Sequence, residues 1–123
     1  MHQYIVLGHG SRNAEANHVL EKLSGLFHEN TKAPTCCAFL QFAEPTLEQA
    51  IEACYSEDLD TITIIPVFLY PGVHIKEDIP RILGNLQGKY PEVTFELSEP
   101  IGADPRLIPI LQEKAETARK IHP

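Results

Sequence analysis

Apolar and polar positions follow two rhythms along this chain, and the rhythms alternate four times. Tyr4-Ile5-Val6-Leu7 is a continuous apolar run, as expected of a parallel strand covered on both faces. Ala16, Val19, Leu20, Leu23, Leu26 and Phe27 then recur at helical spacing, which predicts a helix facing the core through that stripe. Thr35 to Leu40 is a second strand. Thr46-Leu47-Glu48-Gln49 has the form of a capping box, and Leu47, Ala50, Ile51 and Cys54 continue the apolar face of the helix it opens. Thr61 to Leu69 is the run richest in β-branched residues, and Pro66 marks where regular pairing ends, because proline supplies no ladder donor. A helix is expected around Asp78, with Pro80 in its first turn and Ile79, Ile82, Leu83 and Leu86 facing inward. Val93 to Leu97 is a fourth, shorter strand. Leu107, Ile108, Leu111, Ala115 and Ala118 are the inner stripe of a last helix, and the residues up to Pro123 are expected to fray.

The resulting order is βαβαβαβα. It predicts a single α/β domain over residues 1–123: three layers, a four-stranded parallel sheet and helices on both faces. The commonest small arrangement of this kind is flavodoxin-like, with strand order 2-1-3-4. There the loops leaving the first and third strands diverge to opposite faces and open a crevice between them.

Unusual polar residues sit at those strand ends. Gly8-His9-Gly10-Ser11-Arg12 follows the first run, Glu44-Pro45 the second, and Gly72-Val73-His74 the third. In a parallel sheet the three loops share one edge, which then carries two imidazoles and a carboxylate. Neutral imidazole suits borderline ions such as Fe2+, Co2+, Ni2+ and Zn2+. Two histidines are too few for a closed structural site, so a metal held there keeps open positions and can be passed on. Each imidazole can also accept a proton near neutral pH. Glycines beside His9 and before His74 permit close approach of a large flat ligand. His2, His18, His28 and His122 read as surface or hydrogen-bonded residues. Glu44 is open to two readings, ligand contact or a favourable charge near the next helix N-terminus. Phe68 reads as core rather than ligand contact, Tyr70 as a residue that packs against a ligand, and Arg12 and Lys76 as solvated charges beside the site.

Composition narrows the function further. Hydrophobic residues make up 43% and charged residues 22%, enough for a proper core, and a domain of this size hides roughly two-thirds of its unfolded surface. The formal net charge of -7 argues against nucleic acid as the main partner, while leaving room for an anionic small molecule at a local Arg and Lys cluster. No apolar stretch is long enough to span a bilayer, and Met1-His2-Gln3-Tyr4 enters the first apolar run without a leader pattern, so a cytoplasmic location is expected. Cys36, Cys37 and Cys54 show neither disulfide nor zinc spacing and read as apolar thiols, with Cys36 and Cys37 on opposite faces of their strand.

Taken in order, Gly8-His9-Gly10-Ser11-Arg12, Phe39-Leu40-Gln41-Phe42-Ala43-Glu44-Pro45, Pro66-Val67-Phe68-Leu69-Tyr70-Pro71-Gly72-Val73-His74 and Asp78-Ile79-Pro80 resemble the short class II chelatases of the CbiX type. The resemblance runs from Tyr4 to about Leu107. It implies a chelatase-like fold and a lyase that inserts Co2+, Ni2+ or Fe2+ into sirohydrochlorin, a tetrapyrrole, as in cobalamin, sirohaem or nickel-tetrapyrrole biosynthesis. It implies that His9 and His74 bind the metal, with His9 also the proton acceptor, and that Glu44 acts with them in catalysis. Glu44, Ser11, Arg12 and the segment Leu69, Tyr70, Pro71, Gly72, Val73 and His74 would contact the tetrapyrrole. No organic cofactor is implied, since the divalent metal is itself a substrate. The short forms of the family are homodimers, so a second copy would complete the pocket. Asp104 stands where many relatives carry histidine, and no histidine-rich insertion is present.

Two other functions fit the same residues. A non-catalytic cobalt- or nickel-binding delivery protein would use the same ligands without metallating a ring. A phosphohydrolase with His9 as nucleophile is disfavoured, because position 8 is glycine and the clustered arginines of a phosphoryl clamp are missing.

Overall fold

The computed structural model describes residues 1–70 and 72–121, with the side chains of Val73 and His74 outside the description. Four parallel strands form one sheet in the order β2-β1-β3-β4, as the alternation predicts. In chain order the elements are β1 (His2–Gly8), α1 (Ala14–Thr31), β2 (Thr35–Phe39), α2 (Leu47–Cys54), β3 (Thr61–Pro66), α3 (Val73–Lys89), β4 (Thr94–Leu97) and α4 (Ile108–Glu116). A 3-10 turn over Pro105–Leu107 leads into α4. Among the described residues, no helix is long and apolar enough to cross a membrane.

Local chemistry sets the boundaries. The capping box at α2 forms: Gln49 N–H donates to Thr46 Oγ1 at 3.1 Å, and Thr46 N–H to Gln49 Oε1 at 2.8 Å. Asn13 caps α1 by accepting from Glu15 N–H, and Lys32 closes the helix with φ of 61°. Helix α3 starts earlier than expected. Gly72 is its N-cap and accepts from the N–H groups of Ile75 and Lys76, so His74 lies in the first turn of a helix rather than in a loop. Pro80 therefore falls inside α3, where it costs the carbonyl of Lys76 its donor. Proline at a helix start is the commoner pattern, which is why the sequence places the start too late.

The two faces of the sheet are covered unequally. On one face Ile5, Leu7, Ile62 and Ile64 pack against Leu47, Ala50 and Ile51 of α2 and Ile79, Leu83 and Leu86 of α3 in one continuous core. On the other, the buried apolar cluster among the described residues is the smaller one of Val6, Leu20 and Phe39. Cys36 and Cys37 do divide between these two sides. The expected inner stripe of α1 is only partly inward: Leu20 is buried, and so is Ser24, while Val19 is 62% exposed and Leu23 and Leu26 also face out. The expected stripe of α4 is inward nowhere beyond Leu107, which is half-buried. Ile108 and Leu111 are exposed, as is every other residue of that helix, and Ala118 lies beyond its end. Periodicity reports that a face is apolar, not which surface covers it.

Removing the side chain of Ile51, which is fully buried between α2 and the sheet, is expected to cost about 2–5 kcal/mol. Thr46→Ala, which deletes a cap and leaves the core whole, is expected to cost about 1 kcal/mol. Urea unfolding midpoints of the two variants, read against the parent chain, check both values and their order.

Candidate metal and tetrapyrrole site

The ladder between β1 and β2 does not stop where the strands do. Leu40 N–H donates to Gly8 O and Gln41 N–H to His9 O, each at 3.0 Å, so the two loops leave the sheet side by side. Gly10 is needed for this approach: its φ is +90°, and a Cβ there would stand 1.8 Å from Gln41 O. On the other side, Val67 N–H donates to Leu7 O at 2.8 Å and carries β3's exit alongside β1's. The result is that His9 meets Phe68, with ring centroids 4.3 Å apart and planes tilted by 58°. His9 is exposed; Phe68 is buried, as expected of a core residue.

Beside His9 opens a cleft of about 490 Å³, walled by Leu40 and Gln41 from the β2 exit and by Ile75, Asp78, Arg81 and Ile82 from the first turns of α3. Arg81 pairs with Asp78 at 3.0 Å and so places a guanidinium in the same cleft. Lys76 lines a second hollow of about 230 Å³ together with Phe68, Ile79 and Pro100. Farther along the rim, Leu69 and Tyr70 are exposed, Tyr70 by 75%, and form one wall of a shallow apolar depression of about 880 Å³ whose other wall is Pro100, Pro105, Ile108 and Leu111. Tyr70 is therefore a surface residue, as a ligand contact requires.

The remaining expected residues fall into place around this edge. Ser11 is held by Asn17, whose amide oxygen accepts from Ser11 N–H at 2.9 Å and whose amide nitrogen donates to Ser11 O at 2.8 Å. Arg12 lies over the ring of Phe42, 4.6 Å from its centroid, which ties the β1 exit to the loop carrying Glu44. Glu44 is exposed, precedes a cis proline, and makes no hydrogen bond or ion pair among the described residues. Gly72 caps α3, one residue before Val73 and two before His74. Pro71 and the side chains of Val73 and His74 lie outside the described residues, so the two imidazoles are related here only through the backbone: His9 and the first turn of α3 border one cleft.

Two residues escaped the sequence reading. Asn17 sits in a helical stripe otherwise read for apolar positions, and its pair of hydrogen bonds with Ser11 reveals its part. Phe42 adopts φ of 65° and is more than half exposed, neither of which a lone aromatic near a turn announces.

Asp104 is occupied. It accepts from Arg106 N–H and from the Arg106 guanidinium, each at 2.9 Å, capping the turn before α4. Those bonds lower its carboxyl to about 2. The cysteines are not soft-ligand candidates. Burial pushes the Cys36 thiol up to about 11, helped by Cys54 and Cys37, so it stays protonated near neutral pH.

Comparison with known proteins follows the same geometry. The family model described as CbiX matches residues 3–118. The chain is 30% identical over 131 residues to the sirohydrochlorin cobaltochelatase of Methanothermobacter thermautotrophicus, covering 93% of this chain and 90% of that one. The solved CbiX protein of Marinobacter aquaeolei VT8 superposes with a TM-score of 0.81 at 31% identity, over 96% of this chain and all of that one. The sirohydrochlorin chelatase SirB of Bacillus subtilis subspecies spizizenii, solved with cobalt, superposes with a TM-score of 0.86 at 26% identity, over 94% of this chain but only 50% of its own.

Because its bonds to Arg106 depress it, the Asp104 carboxylate persists from the ordinary range near 3.8 downward, and its ion pair is lost only as pH falls through about 2. An NMR titration of the Asp104 carboxyl carbon should show that midpoint. In Arg106→Ala it should return toward the ordinary aspartate range.

Proposed function

This chain belongs to the CbiX family, and from that membership we propose that it is a chelatase acting on sirohydrochlorin. The metal inserted is Co2+, the reading supported by the methanogen relative's name, with Ni2+ and Fe2+ as alternatives open to the same imidazole chemistry. The observation that carries this reading is the placement of His9. It is an exposed imidazole at the sheet's carboxyl edge, braced by Phe68 and open to a cleft that the first turns of α3 close from the other side.

The reaction replaces two pyrrole N–H protons of the ring with one divalent cation and releases two H+. His9 and His74 hold the incoming metal. With few protein ligands its remaining positions stay available to ring nitrogens, so the cation moves from imidazole to macrocycle without ever being free. His9, once it gives up the metal, is a base within reach of the departing protons. Glu44, exposed and without an ion-pair partner among the described residues, faces the same edge as a second acceptor. Leu69 and Tyr70 offer the macrocycle an apolar rim, to which Phe42 adds an aromatic edge, and the segment from Pro71 through Gly72 and Val73 to His74 supplies its further contacts. Ser11 lies in the loop that Asn17 fixes. Arg12, Lys76 and Arg81 give the ring's carboxylates a cationic border in a chain of net charge -7.

The protein works as one domain and as a homodimer, located in the cytoplasm. Its half-length match to SirB supports the pairing: a second copy would stand where the longer chain supplies more of itself.

Anaerobic incubation with sirohydrochlorin and each of Co2+, Ni2+ and Fe2+, followed by the metallated-ring absorption, is the direct test. His9→Ala and His74→Ala should each lose at least about 100-fold in rate with unchanged circular dichroism. Full activity in both would reject the mechanism, and metal loading without faster metallation would favour a delivery protein. Arg12→Glu should raise the apparent KM for sirohydrochlorin by about tenfold at low salt, an effect that fades as ionic strength rises; an unchanged KM rejects the cationic border.

A further inference from the structure

A short loop holds Phe42 in a backbone conformation that suits a smaller residue better. Leu40 N–H and Gln41 N–H are tied to Gly8 O and His9 O, and Phe39 N–H donates to Pro45 O at 2.9 Å, so the chain must reverse within Phe42, Ala43 and Glu44. The reversal puts Phe42 in the left-handed region, at φ of 65°. Glycine takes that conformation freely and a bulky side chain does not. Lys32 shares it but uses it to close α1, with its N–H bonded to His28 O. Phe42 makes no backbone hydrogen bond among the described residues, and its side chain is 55% exposed. Neither burial nor backbone bonding accounts for a phenylalanine here. Its ring does have a partner: Arg12 Cζ lies over it, 4.6 Å from the centroid.

Arg12 extends from an equally fixed point. Ser11 before it is bound by Asn17 through both backbone groups, and Asn13 after it donates its N–H to Ser11 Oγ at 3.0 Å and caps α1. No carboxylate occupies its guanidinium. Arg81 and Arg106 donate to Asp78 and Asp104, whereas Arg12 has no side-chain hydrogen bond or ion pair among the described residues. A guanidinium held over an aromatic face keeps its N–H edge, the planar fork that grips one carboxylate through two parallel bonds. This edge lies three residues after His9 and, across the contact with Phe42, two residues before Glu44.

We propose that the Phe42 ring positions Arg12 as a subsite for one peripheral carboxylate of the tetrapyrrole. This role deepens the chelatase reading above and rests on it. A long side chain already laid over a ring has less freedom to lose when the carboxylate arrives than a solvated arginine has. One anchored carboxylate fixes an edge of the macrocycle at the rim between the His9 and Glu44 loops, and so limits how the ring can turn toward the imidazole. Phe42 is a positioning residue in this account, acting on the substrate through Arg12. The left-handed backbone at its position is the cost of presenting an aromatic face at a loop tip where glycine would relax the chain.

The test uses the full chain, with steady-state metallation of sirohydrochlorin and urea unfolding of each variant. Phe42→Leu and Phe42→Gly should each raise KM about twofold to fivefold, the size of one cation–π contact, while kcat stays within about twofold. Phe42→Tyr, which keeps the aromatic face, should bring KM back toward the parent value. Phe42→Gly also relieves the left-handed backbone, so its urea midpoint should hold or rise while its KM worsens. A merely structural residue would lose both together. In an Arg12→Ala background, itself raised in KM, Phe42→Leu should add nothing further. Without substrate, the Arg12 Nε–H resonance should be shifted upfield by the ring and return to the solvated position in Phe42→Leu. An unchanged KM, a loss confined to kcat, a Phe42→Gly midpoint well below the parent's or an unshifted Arg12 resonance overturns the positioning role and leaves the chelatase reading standing. So does a KM penalty that persists in full without Arg12, which assigns the ring to direct contact with the macrocycle. A parent chain that metallates no ring overturns the chelatase reading and this role with it.

Discussion

Strand β1 is hydrogen-bonded on both sides, to β2 through Tyr4–Gly8 and to β3 through His2–Leu7, and is buried on both faces at Ile5, Val6 and Leu7. Everything at the carboxyl edge depends on that double pairing. A strand with no free edge cannot slip by one residue without turning its apolar side chains to the wrong face. The exits of β2 and β3 are therefore indexed to the exit of β1, and His9 is fixed relative to Gln41 on one side and Phe68 on the other.

The chemistry proposed for this edge needs fixed placement more than unusual electrostatics. A cation must be held firmly enough to be collected and loosely enough to leave, and a base must stand near the ring protons at the moment of exchange. The backbone bonds that Leu40 and Gln41 of the β2 exit donate to Gly8 and His9, the Asn17 clamp on Ser11 and the stacking of Arg12 on Phe42 all serve that placement. None of them touches the metal. They hold the loops that would.

The same sheet is thick on one side and thin on the other. Helices α2 and α3 bury most of one face in a continuous core, which also seats the first turn of α3 beside the cleft. The opposite face is left to α1 alone, and the connection from β4 directs α4 outward past the edge. The fold thus keeps its carboxyl edge open and leaves the β3/β4 strip of one face thinly covered, and both follow from where the chain leaves β3 and β4.

The sequence by itself determined the element order, the parallel sheet with its 2-1-3-4 strand order, the division of Cys36 and Cys37 between faces, the capping box at Thr46 and the strand-end positions of His9 and Glu44. These are local or periodic signals: alternation, caps and the demand that apolar runs be covered. Tertiary structure alone decided the rest. It moved the start of α3 back to Val73, because Gly72 could accept the first helical bonds and the helix tolerated Pro80. It turned Val19, Leu23, Ile108 and Leu111 to solvent, because a stripe of apolar residues specifies burial without naming the surface that provides it. It gave Asp104 to Arg106, and Arg12 to Phe42, because pairings between exposed groups are set by where the backbone leaves them and not by any spacing along the chain.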